Sequence, residues 1–237
     1  MSIFADMTNA EIKYIRSLKE KKFRDETALF VVEGEKMVNE ALESSFETVG
    51  IYRKEDIGEE TMSRISAMST PPPVLAVVKQ KKWEKPDTRN GLFLALDAVR
   101  DPGNMGTIIR IADWFGIEAI FASPDSVEIY NPKVIQATMG AIFRKKVIYC
   151  DIPELCDEFA ANGRETFGTF LDGENIYRQQ LTRDGLIIMG NESNGISTRV
   201  REKVSRRLLI PSFADGPTAE SLNVAVATAI TLSEFRR

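Results

Sequence analysis

Histidine is absent from this chain of 237 residues. That excludes Ser-His and Cys-His catalytic arrangements, the imidazole general base and most transition-metal centres. Any chemistry must use carboxylates, Lys, Arg, Ser, Asn, backbone groups or a cofactor. Cysteine is scarce: Cys150 and Cys156 form no disulfide framework or zinc pattern and read as reduced core thiols. No apolar run approaches membrane-spanning length, and the first ten residues, with acidic Asp6, lack the basic-then-apolar form of a signal peptide. The expectation is a cytosolic protein that uses neither a membrane nor a metal. No Gly-x-Gly-x-x-Gly follows an apolar run and no Walker A sequence occurs, which weakens NAD-type and nucleotide-hydrolysing readings. A net charge of −4 gives no global nucleic-acid signature.

What is present is an ordinary globular composition, 43% hydrophobic and 28% charged, in an alternating pattern. The charged stretch 79–91, with Pro86 and Gly91 and no apolar periodicity, reads as a linker. It separates a first domain, 1–85, from a second, 91–237. Upstream, helical spacing covers 9–22, strands are expected at 29–32, 48–52 and 74–78, and helices at 35–42 and 59–68. Downstream, short apolar strands are expected at 92–96, 119–122, 146–149, 166–171, 186–189 and 207–210, with helices over 104–115, 133–139 and 221–235. Strands alternating with helices predict an α/β fold with a largely parallel sheet covered on both faces.

Three polar loops follow apolar strands. Asp101-Pro102-Gly103-Asn104-Met105-Gly106 starts as a turn, with Asn104 as the expected N-cap and Arg110 two turns into the helix. The guanidinium fork of Arg110 suits a phosphate or carboxylate, although the same residues also describe a capped helix with a surface arginine. Met189-Gly190-Asn191-Glu192-Ser193-Asn194-Gly195 allows a tight, backbone-exposing loop carrying one carboxylate, or a plain strand-to-helix turn. Ile210-Pro211 ends a strand, and Ser221-Leu222-Asn223 opens the last helix, with Ser221 as its expected N-cap. The small-residue face Ala225, Ala227, Thr228 and Ala229 invites close backbone approach, within the chain or from a second subunit. Ligands in open α/β sheets sit beyond strand carboxyl ends, so three such loops suggest one composite site.

In order and wording these segments resemble the SpoU-type RNA ribose methyltransferases of the SPOUT superfamily. Ala137-Thr138-Met139-Gly140-Ala141 resembles a further family element between the first two motifs. Phe30 to Gly34 and Pro73 to Val78 resemble the family's L30e-like RNA substrate-binding domain. The resemblance implies a SPOUT sheet with a C-terminal trefoil knot, S-adenosylmethionine as cofactor, a homodimer, and methyl transfer to a ribose 2′-hydroxyl of tRNA or rRNA. Carried onto this sequence, it assigns catalysis to Arg110, Asn104, Glu192, Ser221 and Asn223. Cofactor contacts fall to Gly190, Asn191, Met189, Ile210, Leu222 and Leu171. Two features depart from the family pattern: Ser212 stands where Met is usual, and the 210–221 loop is about three residues longer.

The RNA surface is expected on Lys13, Arg16, Lys19, Lys21, Lys22 and Arg24, with Lys79, Lys81, Lys82, Lys85, Arg144, Lys145 and Lys146 extending it. The competing expectation is a non-catalytic RNA-binding or assembly protein on the same fold, with an altered cofactor pocket.

Overall fold

The structure is a computed structural model that describes residues 7–217 and 219–237. Asp6, used above against a signal peptide, lies outside them, as does Thr218 of the long loop. The chain runs α1 (Asn9–Ser17), α2 (Lys21–Thr27), β1 (Leu29–Glu33), α3 (Glu35–Glu43), β2 (Thr48–Arg53), α4 (Lys54–Ile57), α5 (Glu59–Ile65) and β3 (Val74–Lys79). It continues with β4 (Leu92–Leu96), α6 (Pro102–Trp114), β5 (Ile120–Ala122), α7 (Pro132–Thr138), β6 (Val147–Tyr149) and α8 (Ile152–Ala161). The last elements are β7 (Thr166–Asn175), β8 (Gly185–Met189), α9 (Thr198–Arg201), β9 (Arg206–Leu209) and α10 (Val224–Arg236). Among the described residues no helix is long and apolar enough to cross a membrane.

Two compact units emerge. The first joins Met1–Lys82 with Glu128–Arg144; the second joins Trp83–Val127 with Lys145–Arg237. In the first, β1 and β2 flank β3 in an antiparallel sheet. Ile12, Ile15 and Leu18 recur at helical spacing and bury against Met62, Ile65, Leu75 and Val77. The single helix expected over 9–22 is broken at 18–20. Arg24, assigned above to an RNA surface, is buried: its Nε donates to Glu128 Oε1 at 3.2 Å, Nη2 reaches the other oxygen, and Nη1 donates to the carbonyls of Leu18 and Lys19. Several of the other cations are also engaged. Lys21 pairs with Asp25, Lys22 with Glu26, Lys79 with Glu47 and Arg144 with Glu40, while Lys19 donates to the Ser66 carbonyl. Opposite charges four positions apart meet on one helix face, so much of the expected basic patch is locally neutralised.

The second unit holds a six-stranded, all-parallel sheet in the order β6-β5-β4-β8-β7-β9. Every residue of β4 and β8 is buried, which is why both read as unbroken apolar runs. Phe93, Ala95, Leu186 and Ile188 pack against Ile152, Leu155, Cys156 and Phe159 of α8. Alternate residues such as Leu94 and Ile187 point to the opposite face, where Phe235 of α10 meets Phe167 edge-on with ring centroids 4.8 Å apart. The sequence reading assigned no helix at 152–161, although Asp151 caps it and Pro153 sits in its first turn. Burial pushes the Cys150 thiol up to about 11 and Cys156 up to about 12, so neither is a thiolate nucleophile at neutral pH.

Candidate active site

Strand order explains why distant loops converge. β4 and β8 are neighbours although about ninety residues separate them, and the chain leaves them toward different helices. Leu96 pairs with Met189, so the Asp101 loop and the Gly190 loop leave the sheet side by side. β7 and β9 continue the row, bringing Leu171 and Ile210 to the same edge.

Three polar side chains then link in a row, and a fourth, Asn191, joins them by donating to Glu192 Oε2 at 3.4 Å. Glu192 Oε1 accepts from the Asn104 amide at 3.0 Å and from the Asp101 N–H at 3.3 Å. Asn104 Oδ1 accepts from the Asn223 amide at 2.9 Å. Asn223 Oδ1 accepts from the N–H groups of Ala225 and Val226 at 2.9 and 3.3 Å. The chain has one direction. An ionised carboxylate only accepts and helix N–H groups only donate, so both asparagine amides are fixed in orientation. Asn191 folds its own loop, accepting from Ser193 and Asn194 at 3.0 Å each and donating to the Ala98 carbonyl at 2.7 Å. Its backbone exchanges two 2.9 Å hydrogen bonds with Gly195. A Cβ at Gly190 would collide with the Gly195 carbonyl carbon, so only glycine lets this loop close.

Two expected caps are corrected. α6 begins at Pro102, and Asp101 rather than Asn104 is its N-cap, accepting from the Asn104 N–H at 2.7 Å. Pro at the first helical position leaves no N–H to satisfy, so the cap falls earlier. α10 begins at Val224 with Asn223 as its cap, not Ser221. With Asp101 as the cap, the Asn104 side chain is free to accept from the Asn223 Nδ2, the group that capping by Oδ1 leaves available. Ser221 is exposed and makes no side-chain hydrogen bond among the described residues. Arg110 is exposed on α6, and among the described residues its guanidinium has no partner. The structure therefore joins Asn104, Asn191, Glu192 and Asn223 and leaves Arg110 and Ser221 outside their network. Of the expected cofactor contacts, Leu171 is 74% exposed and Leu222 50%, Ile210 is half-buried, and the Met189 side chain is buried. Asp97 and Ala98 were not singled out from the sequence, and Asp101 was read as the start of a turn and not as the cap. Asp101 had a legible signal, an Asp directly before Pro-Gly.

Residues 91–233 match the model of the SpoU rRNA Methylase family. The chain belongs to this family. Residues 9–80 match an MRM3-like substrate binding domain. A 23S rRNA (guanosine(2553)-2′-O)-methyltransferase of Bacillus subtilis, RlmP, is 32% identical over 244 residues, covering 96% of each chain. Among solved structures, a TrmH-family RNA methyltransferase from Porphyromonas gingivalis superposes with a TM-score of 0.88 at 35% identity, covering 98% of both chains. An AdoMet-bound rRNA methyltransferase from Sinorhizobium meliloti gives 0.87 at 28% identity, covering 98% of this chain and 95% of the other. The parallel sheet and small N-terminal α/β unit of this SpoU protein are thus those of its relatives.

Proposed function

We propose that this SpoU protein transfers a methyl group from S-adenosylmethionine to a ribose 2′-hydroxyl of RNA. The observation that carries this is the Asn223–Asn104–Glu192 hydrogen-bond chain, which ties all three motifs together at the β4/β8 edge. The edge suits the cofactor. Leu171, Leu222 and Ile210 offer apolar walls, and the 190–195 loop offers backbone and a carboxylate nearby. When bound, S-adenosylmethionine supplies an electrophilic methyl on a sulfonium. The protein's own work is then placement and charge. Gly190, Asn191, Ile210, Leu222 and Leu171 hold the cofactor, with the backbone at Met189 fixing the start of their loop. Asn104, Glu192 and Asn223 hold the α6 entrance rigid, and Ser221 lies beside them in the chain, its hydroxyl open to the ribose. Arg110, with its planar guanidinium fork, clamps the substrate phosphate and polarises the 2′-hydroxyl.

The length match to a 23S rRNA enzyme favours ribosomal over transfer RNA as substrate, and with it a cytoplasmic protein. The non-catalytic alternative rested on the long 210–221 loop. The intact motif network and the AdoMet-bound relative argue against it. Calorimetric titration with S-adenosylmethionine and S-adenosylhomocysteine tests the proposal, and saturable binding is expected. Absence of binding, even with bulk RNA present, would return the non-catalytic reading.

The proposal includes a homodimer and the family's trefoil knot. Trp114 is 87% exposed one helical turn beyond Arg110, and Val226 on α10 is 50% exposed. Such apolar surface beside an unpartnered arginine fits a second copy that completes the site. Trp114→Glu is expected to convert a dimer to monomer at low micromolar concentration in sedimentation velocity, and to lower methyl transfer about tenfold or more. A variant that sediments as the wild type would reject this face as the interface. For the knot, the support is the match of residues 91–233 to the SpoU family, whose fold includes it.

A further inference from the structure

Asp97 follows β4 directly and is only 6% exposed. A buried carboxyl must be matched by donors, and here the donor is specific. Asp97 Oδ2 accepts from the Ser197 N–H at 2.7 Å, and the Asp97 N–H donates to the Met189 carbonyl at 2.9 Å. One residue therefore grips the chain immediately before and immediately after the 190–196 loop. Its neighbour adds a third point. Ala98 has φ +59°, a left-handed conformation that L side chains seldom adopt, and this turns its carbonyl to the Asn191 amide at 2.7 Å. Ser123 Oγ accepts from the Ala98 N–H at 2.8 Å and holds the strained residue in place. Strain at Ala98 persists only because these contacts over-determine it.

We infer that Asp97 is a positioning residue for the cofactor, clamping both ends of the 190–196 loop through its backbone N–H and its carboxyl oxygen. The inference rests on the proposed function, which gives Gly190 and Asn191 to the cofactor. The loop is folded internally by the Asn191 side chain and the Asn191–Gly195 bridge, so what remains is its placement on the sheet, which buried Ile196 and the Asp97 contacts supply at its ends. Without the Ser197 anchor the folded loop samples other placements, and the cofactor must select the competent one, which weakens its affinity by that fraction.

The test uses the full-length protein and S-adenosylhomocysteine as probe, with RNA methylation kinetics alongside. Asp97→Ala is expected to raise the dissociation constant about tenfold, the worth of roughly one hydrogen bond, while KM for RNA stays unchanged. Asp97→Asn keeps an acceptor oxygen in place and is expected to bind within about threefold of wild type. Should Asp97→Ala fail to fold by circular dichroism, Ser197→Pro decides. It removes the donor at a residue whose φ of −61° suits proline and whose side chain makes no cap hydrogen bond. Its ring Cδ, standing where the N–H pointed, also pushes the Asp97 carboxylate away, so the same anchor is broken from the other side. Its loss of affinity should at least match that expected for the alanine variant. Wild-type affinity in either variant would overturn the inference, as would equal losses in Asp97→Ala and Asp97→Asn, or a parallel rise in KM for RNA. Failure of the wild-type protein to bind the probe overturns the cofactor proposal itself.

Discussion

Arg110→Ala is expected to lose about 100- to 1,000-fold in methyl transfer while keeping its fold and its affinity for S-adenosylhomocysteine. The magnitude is that of removing one preorganised donor from a site where negative charge develops. Arg110 is exposed on α6 and makes no hydrogen bond or ion pair among the described residues. Its truncation thus removes nothing that holds the protein together, and surface changes of this kind stay within about 0.5 kcal/mol of stability. A lost rate with an unchanged melting temperature can then be read as chemistry. Because a guanidinium cannot act as a base near neutral pH, the loss should not be recovered by raising pH. Arg110→Lys keeps the charge without the planar fork, so it should fall between wild type and alanine. Incorporation of labelled methyl into RNA under single-turnover conditions measures the effect. Full activity in the alanine variant would remove Arg110 from the mechanism.

The parts of this fold that could be read in advance are those written locally. β4 is five apolar residues between Gly91 and Asp97, and its bounds match the expected 92–96. The six strands of the parallel sheet were all expected. β4 and β8, buried on both faces, announce themselves as continuous apolar runs, whereas β7 runs on to Asn175, past the expected 171, where it is polar and partly exposed. Helix starts were less legible. Asn104 and Ser221 are both good caps by type, yet Asp101 and Asn223 take those places, since a cap is decided by which side chain reaches the free N–H groups. The break at 18–20 was hidden because helical spacing continues through Leu18, while Arg24 closes back on the Leu18 and Lys19 carbonyls.

The site shows the same division. The three motifs name their residues, but the link from Asn104 to Glu192 spans 88 positions and that from Asn223 to Asn104 spans 119. Only the strand order β4-β8-β7-β9 makes those pairs neighbours. Asp97 was invisible for a related reason: an aspartate after a strand reads as a turn former, and nothing local says that its partner lies 100 residues on. Charge was the least legible property, because a cation's sequence does not show which acid will reach it.

Arg24 and Glu128 make that point quantitative. Their side chains are 2% and 19% exposed, and together they form a two-point ion pair between residues 104 positions apart. Breaking a buried pair by deleting one partner costs about 3–5 kcal/mol, because the survivor is left charged and dry. The two deletions should differ. Glu128→Ala strands a guanidinium with almost no access to water, although the Leu18 and Lys19 carbonyls still accept from it. Arg24→Met strands a carboxylate that is one-fifth exposed and can rehydrate, but it also unpairs those carbonyls, at about 1–3 kcal/mol for each that stays buried. Charge desolvation is the larger quantity, so Glu128→Ala is expected to be the more destabilising, near the top of the 3–5 kcal/mol range. Against a total stability of about 5–15 kcal/mol this is a large fraction. The double variant Arg24→Met/Glu128→Leu removes both charges and should recover much of the loss, short of wild type by the carbonyls left unpaired. Urea unfolding followed by circular dichroism supplies the ranking. A Glu128→Ala midpoint equal to wild type would mean that the guanidinium finds water or another acceptor on truncation, and that this pair does not hold the first unit together.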